Sequence, residues 1–164
     1  MVLWSNVSGR QSAADGKGIK LTVKILKGRG AVKGVAEGVA LVSRETIQGW
    51  NGIDKNGTVI EKGHPFEGWS IKDAVLVLPG AKGSNGWSIH FHSTKVAGVG
   101  PAALVFPKMD SRTGVTAAVL NVPVVTDLDG DPFELLKTGD RVRVDGDRGI
   151  VEVLAPTGEE FTPA

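Results

Sequence analysis

The sequence predicts a single α+β domain that is rich in β-strands and carries a few short helices. Twenty-three glycines and eight prolines are spread through the 164 residues, where they separate short runs of Val, Leu and Ala. Such punctuation is typical of brief strands joined by tight turns and not of a helical bundle. Apolar residues make up 41% of the chain, which is enough for a hydrophobic core of ordinary size.

Strands are predicted wherever apolar residues alternate or run together between turn signals. LTVKIL alternates like a half-buried strand, whereas AVLVL and AALVF are typical of strands buried on both faces. A helix of about three turns is expected after residue 84, and a short helix or turn over residues 113–120. The predicted strands cover residues 21–26, 36–42, 74–78, 102–106 and 122–126, with a final hairpin over 141–144 and 150–153.

The domain is expected to occupy residues 21–155. A polar, glycine- and serine-rich N-terminal tail covers residues 1–20, and a C-terminal tail covers residues 156–164. The N-terminal tail contains no apolar segment of the kind that signal peptides or membrane spans carry, so we expect a cytoplasmic protein.

The composition restricts the classes of partner and cofactor. Nineteen basic and eighteen acidic residues give a formal net charge of +1 and are interspersed, so the sequence favours neither nucleic acid nor a membrane surface. Because the chain has no cysteine, it can form no disulfide, no thiolate zinc site and no iron–sulfur cluster on thiolates of its own.

Metal and nucleotide signatures fail on their spacing. His90 and His92 alternate without a third nearby ligand, so one packed and one exposed histidine are expected and no metal site is assigned. The aspartates of residues 127–131 lack the glutamate that closes a calcium loop. The glycines of residues 28–34 miss the dinucleotide-binding spacing and predict a flexible hairpin turn.

Two segments are candidates for a functional site. In PGAKGSNGWS, a buried strand leads into a glycine-rich turn and then a helix start, which places Ser84 where free backbone N–H groups stabilise negative charge. The same layout also makes an ordinary helix cap, and neither GxSxG nor a His–Asp pair for a hydrolase triad is present. Residues 47–68 lack periodicity but contain apolar side chains, which predicts an ordered loop that forms part of a site.

Several segments together resemble the small subunit or domain of aconitase X proteins. LVLPGAKGSNGWS is similar to the Gly-Ser-Ser turn of that family, GWNGID to its F-W-G-G-V-D loop, and HP to its H-P signature. AEGVALVS, PAALV, VPVV and TGDRV resemble further family strands in the same order, so the resemblance covers about residues 28–153. The sequence departs from the family pattern at three positions: the second serine is replaced by Asn85, the usual arginine by Lys82, and a usual glycine of the loop by Asn51.

The resemblance implies a swivelling β/β/α domain that closes over a larger, cysteine-containing subunit. It implies a hydro-lyase in which that partner holds the iron–sulfur cluster, this chain binds no cofactor, and Ser84 removes a proton from the substrate. The expected substrate is a small hydroxy acid such as mevalonate 5-phosphate or cis-3-hydroxy-L-proline. The isolated chain is expected to be inactive, and an apolar face with Trp50, Phe66 or Trp69 is expected to meet the partner.

The residues expected to bind substrate lie in the serine turn and in the preceding loop. They are Lys82, Gly83, Asn85, Gly86, Ser88, Trp50, Asn51, Gly52, Asp54 and His64. Two alternatives from other classes stay open at this point. The chain could be a non-catalytic regulatory or scaffolding copy of the domain, as the Asn85 and Lys82 departures would suit. It could also be an independent module that binds a phosphorylated ligand at the serine turn.

Overall fold

The computed structural model describes residues 23–84 and 86–157, in which the chain forms eight strands and three helices. The predicted tail of residues 1–20, Asn85 and most of the predicted C-terminal tail lie outside the described residues. The strands are β1 (Lys24–Lys27), β2 (Arg29–Val32), β3 (Val35–Val42), β4 (Val75–Val77), β5 (Ala103–Val105), β6 (Val124–Thr126), β7 (Arg141–Asp145) and β8 (Ile150–Ala155). The helices are α1 (Gly86–Val96), α2 (Ser111–Leu120) and α3 (Pro132–Leu135). The prediction of a β-rich α+β domain is confirmed.

The strands are hydrogen-bonded in the order β1-β8-β7-β3-β4-β5-β6-β2, and β3 is the strand that the two halves of this sheet share. The first part of β3 pairs antiparallel with β7, from Val35 opposite Asp145 to Val39 opposite Arg141. Its last residues pair parallel with β4, which continues into parallel pairs with β5 and β6. One half of the sheet is therefore antiparallel, and the other is mostly parallel.

The two halves of the sheet face each other because β1 and β2, which are adjacent in the chain, lie at its two opposite edges. β1 pairs with β8 at one edge and β2 pairs with β6 at the other, although only Gly28 separates β1 from β2. Backbone hydrogen bonds hold this junction to the β7–β8 turn: Gly28 N donates to Gly149 O at 2.8 Å, and Gly146 N donates to Gly34 O at 2.8 Å. The sheet folds back on itself as a result.

Two hydrophobic cores lie on the two faces of the parallel half. Val75 and Val77 of β4 belong to the core between the two halves, and Leu76 and Leu78 belong to the core beneath α1 and α2. Because β4 is covered on both faces, its sequence is a continuous apolar run instead of an alternating one. The layers are thus antiparallel strands, parallel strands and helices.

The long segment between β3 and β4 is ordered, as predicted, and it packs on the same side of the sheet as the helices. Isolated bridges join Ile53 to Val59 and Thr58 to Ser70, so strand pairing within the segment is limited to single bridges. Its fully buried residues include Ile47, Val59 and Ile71. This loop forms one wall above the carboxyl ends of the parallel strands.

The structure corrects the interpretation of residues 28–34 as a flexible hairpin turn. Residues Arg29–Val32 form β2, which pairs with β6 over a register that places Arg29 opposite Thr126. The Arg29 guanidinium also contacts the Asp127 carboxylate at 2.8 Å.

The short helix α3 was not predicted from the sequence. Its start is capped by the Asp131 side chain, which accepts from Phe133 N at 2.8 Å.

The start of the predicted C-terminal tail is tied to the domain. Thr157 N donates a hydrogen bond of 2.8 Å to the carboxylate of Asp140, which is itself buried. Asp140 also accepts from Lys137 N at 2.9 Å. The same aspartate therefore contacts both the turn before β7 and the segment just after β8.

Candidate active site

The serine turn lies at the carboxyl end of β4, where the chain passes into α1. Gly83 has a φ of +81°, a conformation that a side chain would strain, and it directly precedes the exposed Ser84. The first amides of α1 converge on this serine. Gly86 N donates to Ser84 Oγ at 3.3 Å, and Trp87 N donates to the Ser84 carbonyl at 3.1 Å. An amide donor beside the hydroxyl oxygen is an arrangement that stabilises negative charge there.

Trp87 anchors this turn to the long loop. Its side chain is 1% exposed, packs on Phe91 with ring centroids 4.4 Å apart, and donates from Nε1 to Ile47 O at 2.8 Å. The Trp87 indole is therefore both part of the core and the contact that fixes the start of α1 against the loop. No sequence motif had indicated that Trp87 belongs to the site.

A cleft of about 210 Å³ opens between the loop and the serine turn. It unites five of the residues that the sequence predicted for the site with two that it did not. The lining residues are Gln48, Trp50, Lys82, Gly83, Ser84, Gly86 and Trp87. Trp50 is 68% exposed at the mouth, where its ring meets the edge of His90 at 5.0 Å between centroids.

Lys82 is held by an acidic residue of the loop. Lys82 Nζ lies 2.6 Å from Glu61 Oε1, and the other carboxylate oxygen accepts from Gln48 N at 2.6 Å. Partial burial raises the pKa of Glu61, but the hydrogen bonds from Lys82 and Gln48 together bring it below its ordinary value. Glu61 is therefore a carboxylate paired with an ammonium group at the cleft.

A second cation reaches the turn from α2. Arg112 Nη1 donates to the Gly83 carbonyl at 2.7 Å, and Arg112 Nη2 lies 2.9 Å from the Asp110 carboxylate. Neither Glu61 nor Arg112 was found from the sequence, because each lies more than twenty positions from the turn residue that it contacts. No local spacing signals either contact.

Other predicted residues stabilise the loop from behind the cleft. Asp54 accepts from Asn56 N and Thr58 N at 2.8 and 2.9 Å, and the Thr58 hydrogen bond is the main cause that lowers the pKa of Asp54. Gly52 is buried, and its carbonyl accepts from Ile60 N at 2.8 Å. Through these contacts, Asp54 and Gly52 stabilise the structure of the loop.

His64 and Ser88 are also buried, at 5% and 6% exposure. His64 Nδ1 accepts from Phe66 N at 3.0 Å, which leaves Nε2 to donate to Glu45 O at 3.1 Å. Both ring nitrogens are thus engaged within the loop. A substrate role for His64 or Ser88 would require a rearrangement and stays a prediction, as does the role of exposed Asn51.

Of the three residues offered as alternatives for an exposed apolar face, Phe66 does not contribute. Its ring is 3% exposed because it packs between His64 and Trp69 in the core beneath the helices. Trp69 is half-buried against the same core. Trp50 is the member of the trio that faces solvent.

The part of the chain that the structure describes contains no metal site. The chain has no cysteine, and within residues 23–84 and 86–157 no group of three His, Asp or Glu side chains could hold a metal ion. As predicted, His92 is exposed and His90 is packed beneath Trp50. No helix in the same ranges is long and apolar enough to cross a membrane.

The sequence model of the aconitase X swivel domain matches residues 25–153. The chain belongs to this family. The crystal structure of Thermococcus kodakaraensis aconitase X in its holo-form has the same fold, with a TM-score of 0.73 and 35% identity over 79% of this chain and 98% of that chain. The solution NMR structure of a UPF0107 protein matches with a TM-score of 0.70 and 38% identity, again over 79% and 98%. The predicted swivelling β/β/α domain is confirmed.

Curated relatives of this swivel domain are named as subunits of one enzyme. The phosphomevalonate dehydratase small subunit of Methanocella arvoryzae is 41% identical over 78% of this chain and 98% of its own length. That of Pyrococcus furiosus is 38% identical over 79% of this chain and 96% of its own length. The expectation that this chain is the small subunit of a dehydratase is confirmed at that level.

Proposed function

We propose that this chain is the small subunit of a phosphomevalonate dehydratase and that Ser84 is its proton-abstracting base. The observation that carries the substrate assignment is the shared name of the curated relatives, which this chain matches over nearly their full length. Between the two substrate classes that the family resemblance implies, these names favour mevalonate 5-phosphate over cis-3-hydroxy-L-proline.

In the proposed reaction, Ser84 Oγ takes a proton from the carbon next to the one that bears the hydroxyl group. The C–H electron pair becomes the new double bond, and the hydroxyl group leaves as hydroxide. The proton on Ser84 is then passed to this hydroxide, so that water is released and the Ser84 alkoxide is restored. A serine hydroxyl is a weak base in water, so its alkoxide must be stabilised by donors already in place. Gly86 N beside Ser84 Oγ and the Lys82 ammonium in the same cleft support this role.

The proposal places the iron–sulfur cluster in a larger partner subunit, because this chain has no thiolate to ligate it. The open cleft at Ser84 would then be closed by that subunit, which would exclude water from the reacting groups. Lys82 keeps a positive charge where the family usually has arginine, and its pairing with Glu61 supports a retained function. This observation disfavours the non-catalytic alternative.

The test is Ser84→Ala in the complex reconstituted with the cognate large subunit. We expect turnover of mevalonate 5-phosphate, followed by mass spectrometry, to fall on the order of a hundredfold or more, as loss of a general base commonly does. The free energy of unfolding of the small subunit should change by about 1 kcal/mol or less, because a single oxygen is removed from an exposed turn.

Ser93→Ala is the matched control. Ser93 is an exposed serine of α1, the helix that follows the serine turn; its hydroxyl donates to Ile89 O at 3.0 Å, and it does not line the cleft. Its replacement should leave turnover unchanged. If Ser84→Ala instead keeps near wild-type turnover, the serine-base assignment is wrong, and a non-catalytic or ligand-binding role of the turn takes its place.

A further inference from the structure

Glu61 connects both walls of the cleft without lining it. Its side chain is 15% exposed, and its two carboxylate oxygens point to different partners. One oxygen accepts from Lys82 Nζ in the serine turn, and the other accepts from Gln48 N in the loop, both at 2.6 Å. Lys82 and Gln48 are cleft residues. This carboxylate therefore joins the two walls of the cleft directly.

The interaction has the properties of a fixed contact and not of a loose surface pair. A solvent-exposed lysine pair contributes little, because the long side chain samples many rotamers. Here the carboxylate is largely covered, receives a backbone donor as well as the ammonium group, and stays charged because its pKa is lowered overall. Without Glu61, the Lys82 side chain, which is 52% exposed, would be free to leave the turn.

We infer that Glu61 is a positioning residue for the dehydration: it holds the Lys82 ammonium in the serine cleft and locks the loop against the turn. The inference rests on the proposed function, in which Ser84 takes the proton as an alkoxide. A cation held near its oxygen stabilises this alkoxide before the reaction and so raises the fraction of Ser84 that is ready to act as the base. Glu61 acts through Lys82 and does not itself touch the reacting atoms.

The same loop offers a matched control for Glu61. Glu67 is also a carboxylate that contacts a lysine, Lys62 Nζ at 2.7 Å, and a backbone donor, Gly63 N at 2.9 Å. Neither Glu67 nor Lys62 lines the cleft. Glu61→Gln and Glu67→Gln therefore remove the same charge and the same kind of contact, but only the first one acts on the site.

The experiment compares these variants with Lys82→Met, Lys82→Arg and Glu61→Gln/Lys82→Met in the reconstituted two-subunit enzyme. We expect Glu61→Gln and Lys82→Met each to lower kcat about tenfold to a hundredfold, the size of effect that a displaced group produces. KM should change by less than about threefold, because the pair acts on the readiness of Ser84 to take the proton and not on substrate binding. Glu67→Gln should keep the wild-type kcat.

Coupling between the two residues separates positioning from a general loss of stability. If Glu61 acts through Lys82, the double variant should be no slower than the slower single variant. Lys82→Arg, which keeps a cation able to pair with Glu61, should lose less than Lys82→Met. Melting temperatures of all variants are measured alongside, and Lys82→Met serves as the second probe if Glu61→Gln does not fold.

The outcomes distinguish this inference from the proposed function. If Ser84→Ala is inactive but Glu61→Gln or Lys82→Met retains the wild-type kcat, the positioning role of Glu61 is overturned while the base assignment stands. Additive losses in the double variant also overturn it. If Ser84→Ala is fully active, the proposed function itself fails, whatever the Glu61 variants do.

Discussion

At the scale of single residues, Asp110 organises the start of α2. Its Oδ1 accepts from Thr113 N at 2.9 Å, and Thr113 Oγ1 accepts from Asp110 N at 2.8 Å, which completes a capping box. Asp110 also pairs with Arg112, the residue that bonds the Gly83 carbonyl in the serine turn. Replacing Asp110 with Ala should lower the free energy of unfolding by about 1 kcal/mol near neutral pH.

This loss should depend on pH. The Thr113 amide hydrogen bond is the main cause that lowers the native pKa of Asp110. The stabilisation is therefore fully present above the unfolded value of about 3.9 and is lost as the pH falls through the native pKa. Urea unfolding between pH 7 and pH 3 should show the difference between wild type and Asp110→Ala shrinking with acid. A difference that stays constant, or one that Ser111→Ala shares, would contradict this account.

The candidate site residues form two groups: those that are adjacent in the sequence, and those that meet only in the folded chain. Ser84, Lys82 and Gly83 could be found from the sequence because a strand, a glycine turn and a helix start are adjacent in the chain. Glu61 and Arg112 could not, because their contacts join positions 21 and 29 residues apart. His64 was found as part of a family signature, but its burial and its two hydrogen bonds are properties of the folded loop.

At the scale of elements, the junction of β2 with the β7–β8 turn depends on close backbone contact. A Cβ placed on Gly30 would overlap the Gly146 carbonyl oxygen, so Gly30→Ala must push these elements apart. We expect it to destabilise the domain by about 1–3 kcal/mol, the usual cost of overpacking. Denaturant unfolding of the small subunit measures the effect.

Gly114 is the matched control for Gly30. It lies inside α2, where an added Cβ would meet Met109 Cε at 3.6 Å, which is an ordinary contact. Because alanine favours a helix over glycine by up to about 1 kcal/mol, Gly114→Ala should stabilise the same domain. If both substitutions change the free energy of unfolding in the same direction, the close contact between Gly30 and Gly146 is not what determines the effect at Gly30.

β2 is the strand that the sequence did not reveal, because it is defined by distant pairing. The continuous apolar runs of β4 and β5 identify strands buried on both faces, and the predicted helix after Ser84 is α1. β2 is short, contains a glycine and is a strand only because it pairs with β6, about a hundred residues away. Its sequence alone has the features of a turn.

At the scale of the whole molecule, the layer order explains where the site lies. The parallel half of the sheet is covered on one side by the antiparallel strands and on the other by α1, α2 and the long loop. The loop and the serine turn therefore meet at the carboxyl ends of the parallel strands, where they surround an open cleft. Composition predicted the mixture of elements, and the family resemblance predicted their layering.

The open cleft leads to a prediction about assembly. Ser84 is exposed, the chain has no cysteine, and the Trp50 indole is 68% exposed at the mouth of the cleft. We expect the purified chain to be folded but without dehydratase activity, and to form a stable complex when it is co-expressed with the cognate cysteine-containing large subunit. Gel filtration and an activity assay of the separate and combined subunits measure this.

Trp50→Ala should weaken that complex, because large aromatic side chains at the centre of an interface often carry much of the binding energy. The dissociation constant should rise at least about tenfold, which corresponds to roughly 1.4 kcal/mol, while the isolated chain keeps its stability. Val35→Ala is the control: Val35 is 55% exposed but starts β3, at the end of that strand remote from its pairing with β4. Equal affinities of the Trp50→Ala and wild-type chains would place the interface away from the cleft, and turnover by the chain alone would remove the need for a partner.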